Sequence, residues 1–330
     1  MNRRAALAAL GSAGLGLFAM QLPSFSSDQP KDDALHAALA KLGANSRERL
    51  LHLIKDRGFD GRIAAAEVKG LCEREGKRVD EVMITLLDLA KTYARPPISK
   101  YYVGTVARGS SGDLYLGANI EFPGHSLGFS VHGEQAALSN AYMHADQGLS
   151  AIAVTAAPCG HCRQFMSELS PDGDIQVLLQ GKPPEKLSVL LPSAFGPKDL
   201  GVTDLAFPVK GVDLNPPKGA SDELTRAALD AARRSYAPYT KAHSGVAIRT
   251  RAGRIFKGSY IENAAYNPSL PPLQTALVCL AVAGESYSAV SEVVLVEVEG
   301  APISQKSVAE AALSAIAPEV KLRVVKVTRS

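Results

Sequence analysis

Cysteine is scarce in this sequence. Four cysteines in 330 residues are too few for a disulfide scaffold in so long a chain. An excess of charge of one sign is also missing. Lys and Arg number 36 against 33 Asp and Glu, a formal net charge of +3, whereas a dedicated nucleic-acid binder normally carries a strong basic excess. No apolar run reaches the length of a membrane span: the nearest, over 5–20, holds 16 residues, short of the roughly 20 that cross a bilayer as a helix. What is present is ordinary globular material. Hydrophobic residues make up 46% and charged residues 21%, which excludes wholesale disorder. The length predicts two ordinary domains, or one large domain with an extension.

Arg3-Arg4 precedes the 5–20 run. Charge, apolar stretch and polar segment follow one another as in a secretory signal, and the paired arginines resemble the twin-arginine kind. Ser24-Phe25-Ser26 makes only a weak small-x-small cleavage site, and a tail without function is the other reading of 1–32. From 33 to 97 the pattern is helical, with Leu35, Leu39 and Leu42 on one face and Leu50, Leu51 and Ile54 on another. Pro96-Pro97 ends that run, since neither proline donates an amide hydrogen. Over 98–200 the apolar pattern predicts strands at 101–107 and 114–119, a helix at 134–144, a strand at 151–156 and a helix at 160–169. Further strands are expected at 175–179 and 187–191. This is an α/β order, helices layered on a mixed β-sheet.

A linker over 201–217, ending in Leu214-Asn215-Pro216-Pro217, leads into a weaker copy of the same order over 218–330. It has a helix at 223–235, a hairpin from strands 245–250 and 254–259, a helix at 274–283 and a strand at 293–298. Gly253-Arg254-Ile255-Phe256-Lys257-Gly258 aligns with Gly112-Asp113-Leu114-Tyr115-Leu116-Gly117, and Glu262 with Glu121. One repeat predicts a duplicated domain rather than an array.

Chemistry concentrates in the first copy. His132-Gly133-Glu134 stands before one predicted helix and Pro158-Cys159-Gly160-His161-Cys162 before the next. Imidazole and thiolate suit Zn²⁺, and positive helix ends beside the sulfurs favour thiolate over thiol. Three such ligands leave a fourth tetrahedral position for water, which a structural site would close. Glu134, two residues from His132, is placed to exchange protons with that water without binding the metal. A C-x-x-C pair alone also serves redox or structural-zinc roles, and His161 is the residue that would close a structural site. As a loop residue squeezed between two ligands it has no further task. Together and in this order, H-x-E and P-C-x-x-C are the signature of zinc-dependent nucleobase deaminases.

Beyond these motifs the chain resembles the cytidine deaminases of the long, two-domain bacterial type. The resemblance runs over nearly everything after residue 32. It rests on Tyr101-Tyr102-Val103-Gly104, Gly117-Ala118-Asn119-Ile120-Glu121-Phe122, Ala194-Phe195-Gly196-Pro197-Lys198-Asp199-Leu200, Glu262-Asn263-Ala264-Ala265 and Pro271-Pro272-Leu273-Gln274. It implies one Zn²⁺ held by His132, Cys159 and Cys162, with Glu134 as proton carrier, in the hydrolytic deamination of cytidine and 2′-deoxycytidine. Asn119 and Glu121 are then ribose contacts beside Ile120, and Tyr101 packs on the pyrimidine where relatives commonly have Phe. The Gly133 amide lies near the base, and glycine in place of the family's alanine is expected to loosen that turn. Phe195 completes the substrate-binding set.

In the second copy Pro271 and Leu273 stand where His132 and Glu134 do, and no C-x-x-C follows, so that copy is expected to be degenerate. The resemblance also implies a homodimer in which each degenerate domain helps close the neighbour's site, with Phe195 and Pro271-Pro272-Leu273 near an active-site mouth. A nucleoside is the expected partner, not nucleic acid or membrane, and the location is cytoplasmic unless 1–32 directs export. Two rivals remain: a deaminase of another nucleobase-containing substrate, and a non-catalytic zinc-stabilised nucleoside-binding protein. Cys72 and Cys279 are expected in the core. His52, His125 and His243 are expected at the surface or in loops.

Overall fold

The computed structural model of the chain describes residues 32–56, 58–170, 175–216 and 222–330. The export reading of 1–32 therefore lies, Asp32 apart, outside the described residues. Among them, no helix is long and apolar enough to cross a membrane.

The helical N-terminal region contains α1 (Asp32–Ala38), α2 (Ala44–Lys55), a two-residue strand β1 (Arg62–Ile63), α3 (Ala65–Glu75), α4 (Val79–Thr85) and α5 (Leu87–Lys91). A hairpin of β2 (Gly104–Gly109) and β3 (Leu114–Ala118) follows, then α6 (Gly133–Met143), β4 (Leu149–Val154), α7 (Gly160–Leu169), β5 (Gln176–Leu179), β6 (Glu185–Lys186) and α8 (Leu187–Leu190). The second copy runs α9 (Glu223–Arg233), β7 (Ser244–Thr250), β8 (Ile255–Ser259), α10 (Pro272–Val282), β9 (Val290–Val298), α11 (Lys306–Ile316) and β10 (Leu322–Val327).

The first sheet has the order β1-β3-β2-β4-β5-β6 and the second β10-β9-β7-β8. Each holds the same four-strand kernel: an antiparallel hairpin, a strand antiparallel to its first arm, and a last strand parallel to that one. The fold is thus an α/β layered mixed sheet, duplicated, with a helical N-terminal region. Strand periodicity explains the layers. Val106, Leu114, Leu116 and Ala153 face helices α1–α5 in one core, while Ala107, Tyr115 and Ile152 face the other way. That second core also takes Val246, Ile248 and Leu295 from the other sheet, so one apolar interior joins the two copies. α6 lies in it and is buried from Gly133 to Tyr142, which is why its sequence carries no polar stripe. Its approach to the sheet requires glycine: a Cβ on Gly117 would lie 2.1 Å from the Ala137 nitrogen, and one on Gly258 2.2 Å from that of Ala276 in α10.

One expected strand is absent. At 187–191 the chain pairs only through β6 and then turns into α8. Leu187 is buried there, and the Arg163 Nη1 donates to the Leu190 carbonyl at 2.9 Å, so these leucines pack a helical turn beside α7 instead of extending the sheet. His243 lies in the loop before β7, as expected, but is buried there. It is 5% exposed, with Nδ1 at 2.9 Å from Ser235 Oγ.

Candidate active site

Two helix starts meet at one place. His132 is the N-cap of α6 and Cys159 the N-cap of α7, both with extended backbone, and Cys162 sits in the first turn of α7. A bridge between Ile120 and Val131 holds the chain that delivers His132, and β4 delivers the loop before Cys159. The Cys159 and Cys162 sulfurs are 3.5 Å apart, and His132 Nδ1 is 3.5 Å from the first and 3.2 Å from the second. A tetrahedral zinc with ordinary Zn–S and Zn–N bonds separates such ligand atoms by about 3.5–3.8 Å, and the donor set lies within a few tenths of an ångström of that spacing, so it fits the ion. No other group of three metal-binding side chains this close occurs among the described residues.

The electrostatics agree with that reading. Cys159 is pushed down to about 4, chiefly by its hydrogen bond with the Cys162 sulfur, with the amides of Cys162 and His161 and the charge of His132 adding to this against burial. Cys162 is pushed up by the same bond, by burial and by the Glu134 carboxylate. A bound cation reverses that second shift, because a coordinating thiol is deprotonated outright. Glu134 is 5% exposed, and burial raises its carboxyl above the usual range against a bond from its own amide. His161 lies within the first turn of α7, not in a loop, its ring centroid 5.6 Å from that of His132.

The site opens into a cavity of about 460 Å³, within the roughly 300–1,000 Å³ usual for small-molecule sites. Tyr101, Asn119, Glu121, His132, Gly133, Glu134 and Cys159 all line it. Asn119 and Glu121 lie just past β3, where they also shape the wall. The Asn119 Oδ1 accepts from the Val103 amide at 2.9 Å and its Nδ2 donates to the Tyr101 carbonyl at 2.8 Å. Glu121 accepts from the amides of Ile98 and Ser99 at 2.8 and 2.9 Å and from Ser99 Oγ at 2.5 Å. Tyr101 is 60% exposed at the rim.

Several expectations change. The Ile120 side chain is buried in the core, away from the cavity it was expected to line. Phe195 is 45% exposed and lines no part of its own chain's cavity; its carbonyl accepts from Gln164 Nε2 at 2.6 Å on the flank of α7, and the place expected for it is at a neighbour's mouth. Pro271-Pro272-Leu273 opens α10, with Pro271 half-buried and Leu273 0% exposed, so within one chain Leu273 fills the core. At Gly133 the space beside the backbone is already filled. A Cβ there would come within 2.6 Å of Thr105 Oγ1 and 2.9 Å of Val103 Cγ1. Ile98, Ser99, Val103, Leu127, Ser130, Val131, Val154, Ala156 and Ala157 complete the lining without any local motif that marks them.

A duplicated α/β fold with one His-Cys-Cys centre at paired helix starts defines a zinc-binding protein. Residues 77–178 and 187–310 each match the cytidine and deoxycytidylate deaminase zinc-binding region. The chain is 41% identical over 283 residues to a cytidine deaminase of Vibrio vulnificus strain YJ016, covering 86% of this chain and 95% of that one. It is 42% identical over 291 residues to a cytidine deaminase of Yersinia pestis strain Pestoides F, covering 88% and 98%. A crystal structure of the cytidine deaminase from Burkholderia pseudomallei matches at 31% identity and a TM-score of 0.32, over 35% of this chain and 98% of that one. The chain belongs to the cytidine and deoxycytidylate deaminase family, and His132, Cys159 and Cys162 are its zinc site.

Proposed function

We propose that this chain hydrolyses cytidine and 2′-deoxycytidine to uridine and 2′-deoxyuridine with release of ammonia. The observation that carries the reading is Glu134: a buried carboxylate, raised by burial, beside a zinc ligand and facing the cavity. His132, Cys159 and Cys162 would hold the zinc, which would supply Lewis acidity and lower the pKa of water to about 7. Glu134 takes a proton from the attacking water and gives it to N3 of the pyrimidine. It then carries the water's second proton to the amino group at C4, which leaves as ammonia. The Gly133 amide faces the base, Tyr101 covers it at the rim, and the ordered Asn119 and Glu121 present their remaining acceptor capacity to the sugar. The absence of a basic cluster among the cavity-lining residues favours an unphosphorylated nucleoside.

The domain limits follow: an outer helical layer over 33–97, a catalytic domain over 98–200, a linker over 201–217 and a degenerate domain over 218–330. The quaternary reading is a homodimer. Ile98, Tyr101, Tyr102 and Leu127 are 46%, 60%, 51% and 70% exposed at or beside the cavity mouth, an apolar rim that a second copy would cover. The compartment is cytoplasmic unless 1–32 acts as an export signal, which fusion of that segment to a reporter with and without Arg3-Arg4 tests.

A substrate panel followed by ultraviolet absorbance tests the activity. Cytidine and deoxycytidine are expected to turn over, while cytosine, cytidine monophosphate and adenosine are not. Comparable turnover of the monophosphate or of bare cytosine contradicts the reading.

A further inference from the structure

The degenerate copy repeats the bonding that shapes the cavity wall of the first copy, but directs it at a different target. Glu262 accepts from the amides of Tyr239 and Thr240 at 2.9 and 3.2 Å and from the Thr240 hydroxyl, as Glu121 does with Ile98 and Ser99. Lys241 has φ of 55° where Lys100 has 57°, and the two amides close onto the carbonyls of Ala237 and Pro96 at 3.1 and 3.0 Å. In the first copy this loop borders the cavity. In the second it meets α7.

The contact is polar and buried. Glu168, on α7, is 1% exposed and accepts from Tyr236 Oη at 2.9 Å, Tyr239 Oη at 2.5 Å and the Ala264 amide at 2.8 Å. One turn earlier on the same face of the helix, Asn263 Nδ2 donates to the Gln164 carbonyl at 3.0 Å. The other ligand-bearing helix is held from the same segment. Gln135 Nε2, in the first turn of α6, donates to the Pro268 carbonyl at 3.1 Å, while its Oε1 accepts from the His132 amide at 3.2 Å. Residues 262–268 thus touch both helices whose starts carry His132, Cys159 and Cys162.

We propose that the degenerate copy is a clamp that fixes the starts of α6 and α7 against each other, with Glu168, Asn263 and Gln135 as positioning residues for the zinc site. The proposal rests on the zinc reading above. Three ligands drawn from two helices hold an ion tightly only while the helices keep their spacing. Glu168 resists loosening because parting from its three donors would leave a carboxylate buried without partners. Partners that orient metal ligands typically contribute about 10–100-fold to metal affinity.

The test is zinc release from the full-length, zinc-loaded protein into an excess of a chromogenic chelator, at a temperature below the melting of every variant. Glu168→Gln and Asn263→Ala are expected to release zinc about tenfold or more faster than wild type, and Tyr239→Phe to shift the rate the same way by less. Glu297→Gln is the matched control. Glu297 is also a buried carboxylate of the degenerate copy, held by Ser304, the Gln305 amide and Lys326, but it does not touch α7. Its release rate is expected to stay within about twofold of wild type, even where its melting point falls as far. Wild-type release from Glu168→Gln and Asn263→Ala overturns the clamp, as does equal acceleration by Glu297→Gln. If Glu168→Gln fails to fold, a wild-type rate in Asn263→Ala and Tyr239→Phe overturns it as well. Failure of the wild-type chain to take up zinc refutes the zinc reading instead.

Discussion

At the residue scale, Gly133 shows how far local motifs reach. The H-x-E and C-x-x-C spacings marked the three ligands and Glu134, because coordination chemistry restricts which side chains can stand there. The neighbours across the fold left no such mark. Thr105 comes from a strand nearly thirty residues away, is fully buried, and its Oγ1 makes no hydrogen bond. Its side chain fills the space where a residue larger than glycine at 133 would put its Cβ. A pattern read along the chain cannot show what faces a position from another element, and the same limit hid the burial of Ile120. Gly133→Ala is expected to push the start of α6 off its place and lower kcat/KM for cytidine by about tenfold or more, as overpacking of a tight interior costs roughly 1–3 kcal/mol. Thr105→Ala in the same chain should restore a substantial part, since it vacates the space and deletes no hydrogen bond. A double variant no better than Gly133→Ala would show that the two residues do not compete for one volume.

At the scale of elements, the most legible segments had one strong period and clear ends. α7 was expected at 160–169 and spans Gly160–Leu169. The duplicated hairpins were marked by their glycines. The 187–191 segment misled because a short apolar run reads alike as a buried strand and as a helical turn, and here packing on α7 decides. β10 was not foreseen: its burial does not alternate cleanly, and Arg323 and Lys326 interrupt its apolar residues. His243 stands in a loop as expected, but the sequence does not say that it is buried there against Ser235. Burial, with the charges of Arg329 and Lys241, pushes it down to about 4, against about 6.5 in an unfolded chain. The folded form therefore binds fewer protons than the unfolded form between these values, and stability is lost as pH falls through that window. Urea midpoints measured from pH 7 to pH 4 should show a steeper decline for wild type than for His243→Asn. Parallel curves would mean that His243 is not a source of the acid sensitivity.

At the scale of the whole molecule, the duplication was visible in sequence, but its mechanical consequence was not. One core joins α6 and α10 and takes side chains from both sheets, so the copy without ligands is still half of the support for the copy that has them. A chain ended after Leu214 should leave the inner face of α6 exposed to water. It is expected to lose cytidine turnover by at least about 10²-fold and to sediment as aggregate or as an expanded monomer, whereas near-normal turnover from a compact monomer would separate the two copies functionally. The central claim is nevertheless chemical: Glu134 moves the protons of a zinc-dependent cytidine deamination. The most direct measurement is the rate of cytidine loss by ultraviolet absorbance for wild type and Glu134→Gln, each with its zinc content determined on the same sample. Wild type should convert cytidine, and the variant should hold near one equivalent of zinc while losing at least about 10²-fold in rate, the contribution typical of a positioned acid–base group. No conversion by zinc-replete wild type, or a variant rate within about tenfold of it, would contradict the account.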